Sequence, residues 1–155
     1  MIVIEAVRTR CWNAISGQLQ LVTVDECAQE LRRGDPGMRG YVKVTDEDLA
    51  RITVSSLSNQ QRAAFRLQYP AADGLDAGER DLLTHATIRK DAFELCSCDK
   101  AAVVASHALG WLDRVVSLEA VATSVGARPN PHLRVQFTER RMGEWRTSLR
   151  LGGPI

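Results

Sequence analysis

The sequence predicts an α/β fold, a three-layer α/β/α arrangement around a mostly parallel sheet, and three observations carry that expectation. Short apolar runs alternate along the chain with apolar stripes at helical spacing. Side chains suited to cap a helix follow several of those runs, at Thr23, Asp76, Asp99 and Ser117. Glycines stand where helices should stop, at Gly17, Gly110 and Gly126. Strands alternating with helices imply βαβ crossovers and hence parallel pairing.

The first stripe, Val3 to Ser16, places Ile4, Val7, Cys11, Ala14 and Ile15 on one helical face. A competing reading makes Met1 to Ala6 a strand, because Ile2, Val3 and Ile4 are β-branched. Leu19 to Val24 suits a buried strand, and Thr23 with Glu26 forms a capping-box pattern for a helix running to about Arg33. Gly34, Asp35, Pro36 and Gly37 break it, and the stretch to Val54 carries only mixed signals. Ser58 to Tyr69 is helical in pattern and is closed by Pro70 and the small residues up to Gly74.

Asp76 with Glu79 makes a second capping pattern, and Leu82, Leu83 and Ala86 give the following helix its apolar face. Phe93 to Ser97 is the next strand, after which Asp99 caps a helix over Lys100 to Leu109. Val115 and Val116 form a further strand, and Leu118, Val121, Ala122 and Val125 recur at helical spacing behind Ser117. Residues 127–155 form an extension in which Leu133 to Thr138 alternates apolar and polar, the pattern of an edge strand.

A chain of 155 residues with 45% hydrophobic and 25% charged residues suits one soluble domain with a continuous core. No apolar run approaches the roughly 18 residues of a membrane span, and no basic-then-apolar leader is present, so a cytoplasmic address is expected. The formal net charge of +1 neither predicts nor excludes a polyanionic partner. Six arginines and two glutamates after residue 127 make the tail basic, suited to phosphate or simply solvated.

Cys11, Cys27, Cys96 and Cys98 suggest reduced, mostly buried thiols, because Cys96-Ser97-Cys98 lacks zinc-knuckle spacing and has no second pair. Trp12, Trp111 and Trp145 are too dispersed for a base-stacking platform and belong to the core or an interface. His85 is read as structural. No nucleophile elbow, P-loop or dinucleotide fingerprint occurs.

In an open parallel sheet, ligands sit beyond the carboxyl ends of the strands. Asp99 follows a strand end, Glu30 lies one turn into the helix after Leu19 to Val24, and Glu79 opens another helix. Taken singly, Asp99 and Glu79 are explained as caps and Glu30 as a surface carboxylate. Gathered together without a nearby lysine or arginine, three carboxylates need a divalent cation, and magnesium or manganese suits all-oxygen ligands.

The segments Leu21-Val-Thr-Val-Asp-Glu-Cys-Ala-Gln-Glu-Leu31, Gly78-Glu-Arg-Asp-Leu-Leu-Thr-His-Ala86 and Cys96-Ser-Cys-Asp-Lys100 come in the order of three acidic motifs of the PIN-domain nucleases. Over roughly residues 3 to 126 the chain resembles that family. The resemblance implies a metal-dependent endoribonuclease, often a toxin whose partner is an antitoxin protein, with RNA as substrate. Glu30, Glu79 and Asp99 would then be catalytic metal ligands for Mg or Mn, with Asp81 supporting them and Asp25 and Glu26 as weaker candidates.

That family opens with a strand ending in an aspartate, and no residue here matches it. Glu5 is the nearest acid, on an element expected to be helical. In the family the opening strand lies mid-sheet, so the expectation is that Leu133 to Thr138 completes the sheet, within the chain or by exchange in a homodimer. The alternative function is a truncated, inactive PIN-like protein that binds RNA or another protein.

Overall fold

The computed structural model describes residues 1–33, 37 and 41–155, with the side chain at 71 left aside. Nine α-helices and four short strands are found among them. The order is α1 Ile2–Arg8, α2 Trp12–Gln18, β1 Val22–Val24, α3 Asp25–Arg32, α4 Asp46–Leu49, β2 Thr53–Ser55 and α5 Asn59–Gln68. There follow α6 Ala77–Ile88, β3 Leu95–Cys96, α7 Lys100–Ala108, β4 Val115–Val116, α8 Leu118–Ser124 and α9 Glu139–Arg150. No helix is long and apolar enough to cross a membrane among the described residues.

The chain is a mixed helix–strand protein with parallel pairing. β1 runs parallel to β2 with Val22 opposite Thr53 and Val24 opposite Ser55. β3 runs parallel to β4 with Leu95 opposite Val115. Among the described residues these are two separate two-stranded sheets rather than one.

The expected N-terminal helix is present but divided. Cys11 N–H donates to the Ala6 carbonyl and Arg10 N–H to that of Val7, the paired bonds that close a helix when the residue after its cap is left-handed. Arg10 takes that conformation at φ 62°, where glycine would be usual. Gly110 and Gly126 do the same for α7 and α8, at φ 73° and 70°, as the sequence predicts.

The predicted caps divide as well. Asp76, Asp99 and Ser117 each accept a backbone N–H in the first turn of their helices, and Ser58, for which no cap was expected, does so for α5. Thr23 does not cap α3, because it is paired within β1 and the helix begins directly at Asp25. The break assigned to Gly34–Gly37 lies, apart from Gly37, outside the described residues. In the stretch of mixed signals the structure forms α4, with a full capping box between Thr45 and Asp48, and β2.

The expectation of a strand over Leu133–Thr138, and of a sheet completed by it, is corrected. Val135–Phe137 is a 3-10 turn and Thr138 caps α9. The alternation there arises because Phe137 plunges into the core at 0% exposure while Val135 stays 62% exposed. Phe137 joins Leu118, Ala122, Trp12 and Ile15 in the largest core cluster. Met142 of α9 closes a second cluster with Val103, Leu112 and Val115. Residues after 126 are therefore part of the same core as those before it.

Five of the tail's six arginines pair with carboxylates. Arg134 pairs with Glu5, Arg140 and Arg141 with Glu144, Arg146 with Glu139, and Arg150 with Asp113. The cysteines are free thiols. Trp12 is buried, and Trp111 and Trp145 pack against core clusters.

Candidate functional site

Two helices that follow strands, α3 after β1 and α7 after β3, bring their acids to one rim, and α6 lies between them. α3 and α6 meet at Gly78, where a Cβ would stand 2.9 Å from the Cys27 sulfur and 3.2 Å from Glu30 Oε1. The lack of a side chain at Gly78 leaves room for the Glu30 carboxylate and the Cys27 sulfur where they stand. Glu79 is the next residue on that helix.

Asp76 caps α6, accepting from the Glu79 N–H at 2.7 Å. The second half of a capping box would turn the Glu79 carboxyl back to the Asp76 N–H. Instead that carboxyl hydrogen-bonds Asp99. Asp99 uses Oδ1 to cap α7, accepting from Ala102 N–H at 3.0 Å.

The electrostatics follow from this crowding. Glu79 is pushed up to about 7, first by burial, then by the charges of Asp99 and Asp76, the hydrogen bond to Asp99 and the charge of Glu30. A protonated Glu79 donates to Asp99, and the shared proton removes part of the repulsion. Burial and the neighbouring acids also push the Cys27 and Cys98 thiols up to about 11, so neither is a thiolate at neutral pH. Among the described residues no ion pair involves Glu30, Asp76, Glu79 or Asp99.

All three acids predicted from sequence thus share one rim, and Asp76 joins them. The helix N-cap role was legible for Asp76, but its charge contribution to Glu79 depends on how α6 packs. Asp81 is placed elsewhere. It is 6% exposed and accepts three hydrogen bonds from Arg62, at 3.0, 3.0 and 2.8 Å, which tie α5 to α6. Asp25 and Glu26 contribute their charge to that same arginine. Glu5 is also elsewhere, enclosed at 0% exposure and bound to Arg8 and Arg134.

The donor set is chemically suited to a hard divalent cation, being all carboxylate oxygen. As the side chains stand, no group of three or more His, Cys, Asp or Glu among the described residues is arranged to hold one. Cation binding would require Glu79 to release its proton and turn from Asp99.

The raised Glu79 makes a pH prediction. Between about 4.5 and 7 the folded protein holds a proton that the unfolded chain has lost, so its contribution to stability falls as pH rises through that window. Glu79→Gln keeps a donor toward Asp99 and removes the titration. The melting temperature of the wild type relative to this variant is expected to decline from pH 5 to pH 8 without metal. Parallel profiles would contradict the placement of Glu79 against Asp99.

Comparison of the chain with family models, with curated proteins and with solved structures found no match.

Proposed function

We propose that the chain is a PIN-like domain that hydrolyses RNA phosphodiesters with a divalent cation, magnesium or manganese, held by Glu30, Glu79 and Asp99. The observation that carries the reading is the meeting of three acids from α3, α6 and α7 at one rim, none of them in an ion pair among the described residues. A carboxyl raised as Glu79 is, by burial and neighbouring acids, is of the kind that concentrates at functional sites.

A bound divalent ion supplies the charge that lowers the pKa of a water and stabilises an in-line displacement at phosphorus. The chain's own residues supply the setting. Asp99 is restrained by the bond its Oδ1 accepts from Ala102 N–H. Glu79, poised near 7, can give up its proton at neutral pH and become a ligand. Gly78 leaves the space into which Glu30 reaches.

The finer three-layer arrangement belongs to this proposal and is supported by the two parallel pairs. A toxin role, an antitoxin partner and a homodimer follow from the family resemblance. The second reading, an inactive PIN-like module binding RNA or protein, is favoured by the enclosure of Glu5 between two arginines, which leaves the rim without a fourth acid from α1.

The test is cleavage of a mixed RNA pool with Mg²⁺ or Mn²⁺, comparing the wild type with Asp99→Asn. The variant keeps an acceptor for the α7 cap and loses a charge, and its rate is expected to fall about 100-fold, in the range of a lost electrostatic contact. Equal cleavage by both proteins would rule out the nuclease reading. RNA binding by a wild type that cuts nothing would favour the module.

A further inference from the structure

The segment after α8 returns to the end of the first helix and brings arginines from both ends of the chain to one place. Asn130 N–H donates to the Thr9 carbonyl at 2.9 Å, and Arg8 Nη2 donates to the His132 carbonyl at 2.8 Å. Arg134 donates to Glu5 through its backbone N–H, Nε and Nη2. Residues 128–134 therefore lie along the carboxyl end of α1, with Arg8 and Arg10 on one side of the junction and Arg128 and Arg134 on the other.

Charge at this junction is one-sided. Within residues 5–10 and 128–134 four arginines stand against one carboxylate, that of Glu5, which is fully buried. Arg10 and Arg128 are exposed, and neither enters an ion pair among the described residues. Arg8 and Arg134 are held in place by Glu5, yet their side chains stay 26% and 51% exposed. A guanidinium has five donors, and Glu5 takes those of Nε and Nη2, leaving Nη1 of each arginine to an outside acceptor. Arg10 carries its charge at a backbone position, φ 62°, that glycine takes without strain.

The surroundings narrow the partner. The exposed side chains between Arg128 and Arg134 are those of Asn130, Pro131 and His132. Aromatic and long aliphatic anchors, on which a protein partner or a bilayer depends, are not among them, and the exposed Val135 beyond Arg134 is small. A partner here is held by charge. Arginine forks match phosphate oxygens, and the exposed ring of His132 offers a flat face to an unpaired base.

We propose that this junction binds the phosphate backbone of a single-stranded nucleic acid, with Arg8, Arg10, Arg128 and Arg134 as its phosphate contacts. The surface is built from α1 and the segment before α9, which carry none of the rim acids, and it holds whether or not the rim cuts RNA.

Fluorescence anisotropy of a labelled oligouridylate with the full chain, in a metal chelator so that cleavage does not enter, tests this. The wild type is expected to bind with an affinity that falls steeply between about 50 and 200 mM salt. Arg10→Gly combined with Arg128→Gln should bind about tenfold more weakly, with a salt slope shallower by about 1.4, since each phosphate contact to a single strand contributes about 0.7. Glycine suits the backbone at position 10, so the melting temperature should hold or rise, which separates lost contacts from lost folding. Removing the same charge elsewhere, by Arg66→Gln with Arg140→Gln, should leave the affinity within about twofold, because distant exposed charges are screened. No binding at about 50 mM salt, an unchanged slope in the junction variant, or an equal loss in the control would each overturn the proposal. So would polyglutamate displacing the label as well as unlabelled RNA does, which would assign the junction to an acidic peptide.

Discussion

Glu5→Gln is expected to lower the unfolding free energy by about 3 kcal/mol. Glu5 is fully enclosed, and Arg8 donates to it through Nε while Arg134 donates through its backbone N–H, Nε and Nη2. Burial by itself would raise its pKa, but the hydrogen bonds from Arg8 and Arg134 outweigh it and hold the carboxyl at about 2. Breaking a buried pair by removing one partner costs about 3–5 kcal/mol. The arginine side chains are 26% and 51% exposed and regain water, which places the loss at the lower end of that range.

The same group sets an acid limit. A depressed pKa gives stability that is complete above the unfolded value of 4.5 and is lost as pH falls from there through about 2. Urea unfolding of the wild type should therefore weaken over that window, and the variant should show a flatter profile. A loss well under 1 kcal/mol at pH 7 would mean that the Glu5 pair does not join α1 to the segment around Arg134 in solution.

Phe137→Ala is expected to cost about 3–5 kcal/mol, the range for emptying a buried aromatic site. The ring is completely enclosed, and the Arg134 guanidinium lies 5.4 Å from its centroid. Because Arg134 also holds Glu5, the two substitutions share a partner, and their effects in a double variant should fall short of the sum. Denaturant unfolding of the single and double variants measures this. Strict additivity would separate the ring from the ion pair.

The element order was largely legible because most helix signals are local. Ser58, Asp99 and Ser117 cap the helices that follow them because a short polar side chain reaches the nearby N–H groups whatever lies beyond. Val115–Val116 and the helix after it stand where periodicity puts them. The tail was misread because period-two alternation over six residues is also what an irregular segment shows when Phe137 alone is buried. Met142, Trp145 and Leu149 do lie at helical spacing behind Thr138, a signal that would have found α9.

The site was legible in part. Glu30, Glu79 and Asp99 were singled out together, and they share a rim. Asp81 and Glu5 could not be assigned from spacing, since what removes them is an arginine 19 residues upstream in one case and 129 residues downstream in the other.

By itself the sequence determined the starts of the helices behind Ser58, Asp76, Asp99 and Ser117, the stops at Gly110 and Gly126, and which acids follow the strands, since these depend on sterics and hydrogen bonds within a few residues. Tertiary structure decided the rest. It split the strands into two parallel pairs, turned the Glu79 carboxyl from its own helix to Asp99, and gave Arg62 and Arg134 to buried carboxylates. Those outcomes depend on groups far apart in the chain, and the balance of burial, charge and hydrogen bonding that selects them exists only once the helices have packed.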